Sequence, residues 1–155
     1  MKDTVKLRAL VGMSKMVASS GGDINRNVIA EGAGVRIFKQ IRQLLLKNPT
    51  EEARKWVIEA LAYLTIDAEV KHDLARDEEQ MKIICDFSSD PSPSTSYSLS
   101  CIFMNTTNSY DQPDVQPEMQ RIAEYAKQSV PQAHELDSEE NLKNRLVLAV
   151  LSNVS

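Results

Sequence analysis

The sequence lacks the features that would place it in a membrane or in an oxidising compartment. No apolar run approaches the roughly 18 residues of a membrane span. The N-terminus begins Met1-Lys2-Asp3 and does not open an uninterrupted apolar stretch like that of a signal peptide. Only two cysteines are present, Cys85 and Cys101. We therefore expect a cytoplasmic protein with reduced cysteines and no membrane partner.

Signatures of catalysis and of metal binding are also missing. His72 and His134 are far apart, and neither has a second ligand at metal spacing. There is no Gly-x-Ser-x-Gly elbow and no phosphate loop. The acidic clusters fall in predicted first turns of helices, where they stabilise the helix dipole: Glu51-Glu52, Asp77-Glu78-Glu79 and Glu139-Glu140. The sequence thus predicts neither an enzyme, nor a metal site, nor a cofactor.

What is present is the composition of a globular, helical protein. Apolar residues make up 42% of the chain and charged residues 26%. Aromatic residues are scarce, and Leu, Ile, Val, Ala and Met supply the apolar side chains, which favours helices. The formal net charge is −4. Because no dense basic cluster interleaves with aromatic residues, nucleic acid is not a predicted partner.

Apolar residues recur at helical spacing through most of the chain. The clearest stripe predicts a helix over 35–47 and consists of Ile37, Phe38, Ile41, Leu44 and Leu45. Thr50, Asp67, Asp77 and Ser138 are predicted N-caps, Asp77 with Gln80 as a capping box. Other helices are predicted over 3–18, 23–29, 68–75 and from 117 to about 130, the last with Ile122 and Ala126 on its inner face.

Residues 97–104 are ambiguous between strand and helix. Tyr97, Leu99, Cys101 and Phe103 alternate with smaller or polar residues, as in a strand. We predict a helix, because a lone strand among helices would leave both of its edges unpaired.

The chain is organised around an apolar helix at 56–65, followed at once by a short helix capped by Asp67. This succession is typical of stacked-helix solenoids. Aligning Ala9-Leu10, Ala60-Leu61 and Leu99 gives offsets of 51 and 38 residues, which bracket the ~40–47 residues of armadillo and HEAT repeats. We predict an all-α, armadillo/HEAT-like, right-handed superhelical solenoid. It would be one domain over 1–155, with repeats at 3–48, 50–90 and 94–130 and the start of a further helix at 138–155.

Two sets of residues stand out in this scheme. The predicted core comprises Trp56, Leu61, Tyr63 and Leu64, with Gly32 at a joint between helices. Trp56 also suits a binding hot spot, although core is the more frequent role of such a residue. The predicted partner-binding segment follows a buried helix and comprises Asn105, Asn108, Ser109, Tyr110 and Asp111. The alternative is that Asn108, Ser109 and Asp111 only cap the next turn.

Four tracts resemble the UCS family of myosin-directed chaperones, in its animal muscle-type members. Residues 56–71 are similar to the family's Trp-Ala-Val-Glu-Gly-Leu-Ala-Tyr-Leu-Thr-Leu-Asp-Ala-Asp-Val-Lys. Ala30-Glu31-Gly32 resembles its Phe-Ala-Glu-Gly, and residues 105–111 resemble its Asn-Cys-Thr-Asn-Ser-Tyr-Asp. Further matches follow in register at Pro117-Glu118, Lys127-Gln128, Val130-Pro131 and His134.

The resemblance implies an armadillo-like scaffold that binds the myosin motor domain and assists its folding and assembly in muscle. In full-length members, a tetratricopeptide domain also recruits Hsp90. Its 34-residue repeats are not found in this sequence, and we expect a fragment or a short form. The alternative function is a generic armadillo adaptor without chaperone action.

Overall fold

The structure is a computed structural model that describes residues 2–19, 32–47, 50–89, 92–108, 117–126 and 134–151. Within these ranges every regular element is helical, which confirms the all-α prediction. The predicted helix at 23–29 lies outside them. A 3₁₀ turn, Glu135–Asp137, accompanies the α-helices α1 (Lys2–Ser19), α2 (Ala33–Lys47), α3 (Glu51–Leu64), α4 (Ala68–Arg76), α5 (Glu78–Ser88), α6 (Pro93–Thr107), α7 (Pro117–Tyr125) and α8 (Glu139–Leu151). No described helix is both long and apolar enough to cross a membrane.

Helix α3 lies between α1 and α6. Its inner residues Ala60 and Leu61 are completely buried. Two ion pairs connect α1 with α3 at the same sequence offset, Arg8 with Glu52 and Lys15 with Glu59, so these two helices run parallel. Helix α2 packs beneath both of them, and every residue of its predicted stripe is buried.

Four predicted N-caps are confirmed. At the start of α8, the Ser138 hydroxyl accepts the backbone N–H of Asn141 at 3.4 Å. The Thr50 hydroxyl accepts a hydrogen bond at the start of α3, and the Asp67 and Asp77 carboxylates do so at the starts of α4 and α5.

The predicted capping box is only half formed. Asp77 Oδ1 accepts the backbone N–H of Gln80, but the Gln80 amide returns to the Asp77 carboxylate instead of its backbone. The backbone N–H of Asp77 cannot take part in a capping box, because it donates to the Leu74 carbonyl at 3.0 Å at the end of α4. The Asp77 carboxylate also pairs with Arg42 of α2.

Residues 97–104 are helical, as predicted, and belong to α6. Leu99 and Ile102 are buried against the core, while Tyr97 is 75% exposed and Met104 59% exposed. The spacing of three between the buried pair fits a helix. The strand-like alternation therefore arises from two different helix faces, one apolar and buried, the other apolar and exposed.

The predicted inner face of α7 is wrong where the structure describes it. Ile122 is 62% exposed, and Ala126, which follows the helix, is exposed as well. A periodic stripe shows that a helix has an apolar face but does not show what covers that face.

A buried cluster of charges joins the last helix to the rest. Lys71 of α4 and Arg145 of α8 are 0% and 2% exposed, and both contact Asp137 in the 3₁₀ turn. Arg145 also donates to the backbone carbonyls of Thr106 and Leu136, at 3.2 and 2.5 Å. The Asp137 carboxylate thus contacts both buried cations, and two backbone carbonyls accept hydrogen bonds from one of them.

Candidate partner-binding surface

Helices α1, α3 and α6 together present a surface that we call the three-helix face. It is defined by the exposed or half-exposed side chains Arg8, Lys15, Trp56, Glu59, Tyr63, Tyr97 and Met104. The opposite sides of the same helices are in the core, with Leu10, Leu61 and Leu99 buried. These amphipathic helices therefore fix the positions of the surface side chains through the packing of their buried faces.

Cations of α1 hold the two aromatic rings of α3. The Arg8 guanidinium lies 5.0 Å from the centre of the Trp56 ring and 3.3 Å from Glu52. Lys15 Nζ lies 5.5 Å from the centre of the Tyr63 ring and 2.6 Å from Glu59. The hydrogen bond from Lys15 to Glu59 raises the pKa of Lys15. Each exposed contact is worth only about 0–1 kcal/mol, so their main effect is to orient the rings.

A groove of about 530 Å³ runs between α3 and α6. Its lining combines exposed apolar and aromatic side chains with small polar ones: Glu59, Ala62, Tyr63, Ile66, Ser94, Thr95, Tyr97, Ser98, Cys101, Met104 and Asn105. Among these residues Glu59 carries the one charge, and Lys15 already pairs with it. The groove is therefore suited to an apolar or neutral segment of another protein, because few charges would have to lose water on binding.

Tyr97 is the most exposed aromatic side chain of the groove. Its hydrogen bond with Cys101, one helical turn further on, raises the pKa of the Tyr97 phenol. A tyrosine phenol has an ordinary pKa of 10.0 and is neutral at physiological pH. The ring can therefore contribute apolar contact area with a polar end, as binding hot spots do.

The structure gives Asn105, the first of the predicted binding residues, an internal role. Its side chain is 4% exposed, and its amide donates to the Thr65 hydroxyl at 3.0 Å and the Ala62 carbonyl at 3.4 Å. Asn108 is the C-cap of α6. Ser109, Tyr110 and Asp111 lie outside the described residues, so the assignment of this segment to partner binding stays a prediction.

The residues predicted to form the core occupy two environments. Leu61 and Leu64 are buried. Trp56 packs against the core from its edge, and both Trp56 and Tyr63 remain half-exposed beneath their α1 cations. Gly32, at the start of α2, has φ of 75°, a conformation that favours glycine.

Tyr97 and Met104 were not predicted from the sequence as surface residues. A signal was available, because Tyr97, Cys101 and Met104 recur at i, i+4 and i+7 on a face separate from Leu99 and Ile102. Lys71, Asp137 and Arg145 were missed as well, since charged residues in a helical pattern are normally assigned to solvent.

The part of the chain that the structure describes holds no arrangement of side chains suited to a metal ion. No group of three or more His, Cys, Asp and Glu side chains there could hold a metal ion. His134 uses Nδ1 to accept the backbone N–H of Leu136 at 3.2 Å and so caps the 3₁₀ turn.

Comparison with known proteins finds similar sequences among the unc-45 homolog B proteins. The chain is 39% identical over 146 residues to protein unc-45 homolog B of Danio rerio and 33% identical over 147 residues to the Homo sapiens protein of that name. Each alignment covers 93% of this chain but 16% of the relative, so the chain spans about one sixth of these relatives' length. No protein-family model matches the sequence.

A solved structure, UNC-45 from Drosophila melanogaster, has the same fold over nearly the whole chain. The TM-score is 0.69 with 30% sequence identity, covering 98% of this chain and 20% of the other. The predicted armadillo-like helical solenoid is thereby confirmed, and so is the resemblance found in the four tracts.

Proposed function

We propose that this chain, a relative of the UNC-45 proteins of the UCS family over one segment of their length, is a non-enzymatic, myosin-binding scaffold. In this proposal it acts in the cytoplasm, holds partly folded myosin motor domain on the three-helix face, and limits the aggregation of that domain while it folds. The observation that carries the proposal is the sequence relationship over 93% of the chain.

The geometry of the three-helix face supports a binding role. Stacked-helix proteins commonly bind partners along one extended surface by many modest contacts. Here that surface includes an open groove with exposed Tyr97 and Met104 on one wall and Ile66 on the other. Partly folded clients expose apolar segments, and burying them against these side chains would gain about 25 cal/mol per Å² of apolar surface.

A second candidate is an armadillo-type adaptor that binds a partner without protecting it. The observation that favours an adaptor is the short length of the chain, which corresponds to 16% of its relatives' length. A segment of that size can supply a docking surface while other parts of a longer protein perform the chaperone action.

Heat-induced aggregation of a purified myosin motor domain separates these functions. Light scattering at a temperature where the motor aggregates is recorded with and without this chain, with an equal mass of albumin as the control for crowding. The chaperone proposal predicts lower scattering with this chain and not with albumin. Unchanged scattering together with measurable binding would favour the adaptor, and unchanged scattering without binding would contradict both.

A further inference from the structure

The start of α6 carries a Ser-Pro dipeptide that takes no part in the groove lining. Of the six prolines in the chain, only Pro93 follows a serine or threonine. Ser92, the residue before it, is half-buried and has an extended backbone, with φ −66° and ψ 158°. Pro93 and Ser94 are exposed. A kinase that requires proline after its acceptor serine would therefore find one such dipeptide in this chain, with Ser92 as the N-cap of α6 and Pro93 as its exposed first residue.

The Ser92 hydroxyl makes only side-chain hydrogen bonds. It lies 2.7 Å from the Thr95 hydroxyl and 3.3 Å from the Ser94 hydroxyl, and it does not cap a backbone N–H of α6. Pro93 has no N–H, so Ser94 and Thr95 carry the first backbone donors of the helix, which have no intrahelical acceptor. Two hydroxyls thus lie within hydrogen-bond distance of Ser92 Oγ, and the first turn of α6 supplies two backbone amides without intrahelical acceptors.

Helix α6 carries no charged side chain along its 15 residues. Its N-terminus therefore has no acidic residue to balance the partial positive charge of the helix dipole. A phosphoserine carries about −1.5 to −2 charges at pH 7 and provides three acceptor oxygens. Phosphorylation would thus add the first anion to a helix that forms one wall of the groove.

We propose that Ser92 is the acceptor of a proline-directed serine/threonine kinase. The kinase transfers the γ-phosphoryl group of ATP: a bond forms between Ser92 Oγ and the γ-phosphorus, and the bond from that phosphorus to the β–γ bridging oxygen breaks. ADP leaves, and the hydroxyl proton passes to the catalytic aspartate of the kinase. The phosphate then accepts hydrogen bonds from the first turn of α6 and stabilises that helix. This inference does not depend on what the groove binds.

The test uses the complete chain, a purified proline-directed kinase, and Mg-ATP, with intact-mass and peptide mass spectrometry as the readout. One phosphate on Ser92 is expected. Ser92→Ala removes the acceptor and Pro93→Ala removes the recognition element while keeping the hydroxyl, so both should remain unmodified. Ser94→Ala is the matched control and should be phosphorylated as the wild type is.

Thermal unfolding of the modified chain tests the structural consequence. The phosphorylated protein should melt about 2–4 °C higher than the unmodified protein. The gain should shrink in 1 M NaCl, which screens the helix dipole, and below pH 6, where the phosphate loses its second charge. Absence of phosphate on Ser92, with a control peptide fully modified, would overturn the proposal. So would modification that persists in Pro93→Ala, or a lower melting temperature after modification.

Discussion

At the scale of single residues, Gly34 lies at a close approach of α2 to the start of α4. It is buried, and a Cβ atom built on it would lie 2.7 Å from Oδ2 of Asp67. That carboxylate cannot easily move away, because its other oxygen accepts the backbone N–H of Glu69 at 2.9 Å. Hence the absence of a side chain at Gly34 allows the contact between the two helices.

Gly34→Ala should therefore lower the free energy of unfolding by about 1–2 kcal/mol, because a crowded contact must open or the cap on α4 must shift. Urea denaturation measures the change. Gly12→Ala is the matched control: nothing lies within 4 Å of its Cβ position, so the gain in helix propensity should stabilise α1 by up to about 1 kcal/mol. A Gly34→Ala protein as stable as Gly12→Ala would contradict the close approach.

His72 should make stability depend on pH near neutrality. Burial lowers the pKa of His72 below its ordinary value of 6.5; the charge of Arg76 lowers it further, and that of Arg145 contributes in the same direction, against the opposing effect of Asp73. The unfolded chain consequently binds a proton at His72 at a higher pH than the folded chain does. The free energy of unfolding should fall as the pH decreases below 6.5, through the folded pKa.

Chemical denaturation at pH values between about 7.5 and 5, which include the ordinary histidine pKa of about 6.5, measures the slope of the free energy of unfolding against pH. His72→Gln should flatten it. Equal slopes in the wild type and His72→Gln would contradict the burial argument.

At the scale of the elements, the charge cluster around Asp137 attaches the 3₁₀ turn and α8 to α4. Asp137→Asn would remove the carboxylate shared by Lys71 and Arg145, both of which are buried. The expected loss of stability is about 3–5 kcal/mol, because a buried charge that loses its partner keeps its desolvation cost. Thermal unfolding by circular dichroism measures it.

Glu59→Gln provides the comparison for that loss. It breaks the Lys15 pair on the surface, where both side chains are in contact with water, and should cost less than about 1 kcal/mol. Similar losses in the two variants would mean that the Asp137 cluster is not buried in solution.

The same elements show how far the sequence could be interpreted. The stripe of α2 and the caps Thr50, Asp67 and Asp77 were predictable, because periodicity and N-cap chemistry are local. The burial of Lys71 and Arg145 was not, since it depends on Asp137 and two carbonyls that only tertiary structure brings together. Likewise the position of Ile122 predicted an apolar helix face. It did not predict that Ile122 is exposed, because exposure depends on which residues lie nearby in space.

At the scale of the whole molecule, the repeat pattern and four tracts led from the sequence to the fold and to the UCS resemblance. The three-helix face could not be located in that way. The partner residues were predicted at Asn105 and the segment after it. Asn105 holds α6 on α3 and also lines the groove, and the binding role of the segment stays a prediction. The groove beside it combines Tyr63 from one helix with Tyr97 from another, a juxtaposition that exists only after α3 and α6 have packed.

The central claim is that the three-helix face binds a myosin motor domain. Its most direct test is the affinity of the purified chain for a myosin motor fragment, by calorimetry or biolayer interferometry, for the wild type, Tyr97→Ser and Val147→Ser. Val147 of α8 is 57% exposed and lies outside the groove lining, so it controls for loss of an exposed apolar side chain. We predict a weakening of at least about tenfold for Tyr97→Ser and no change for Val147→Ser. Equal affinity for all three proteins would contradict the claim.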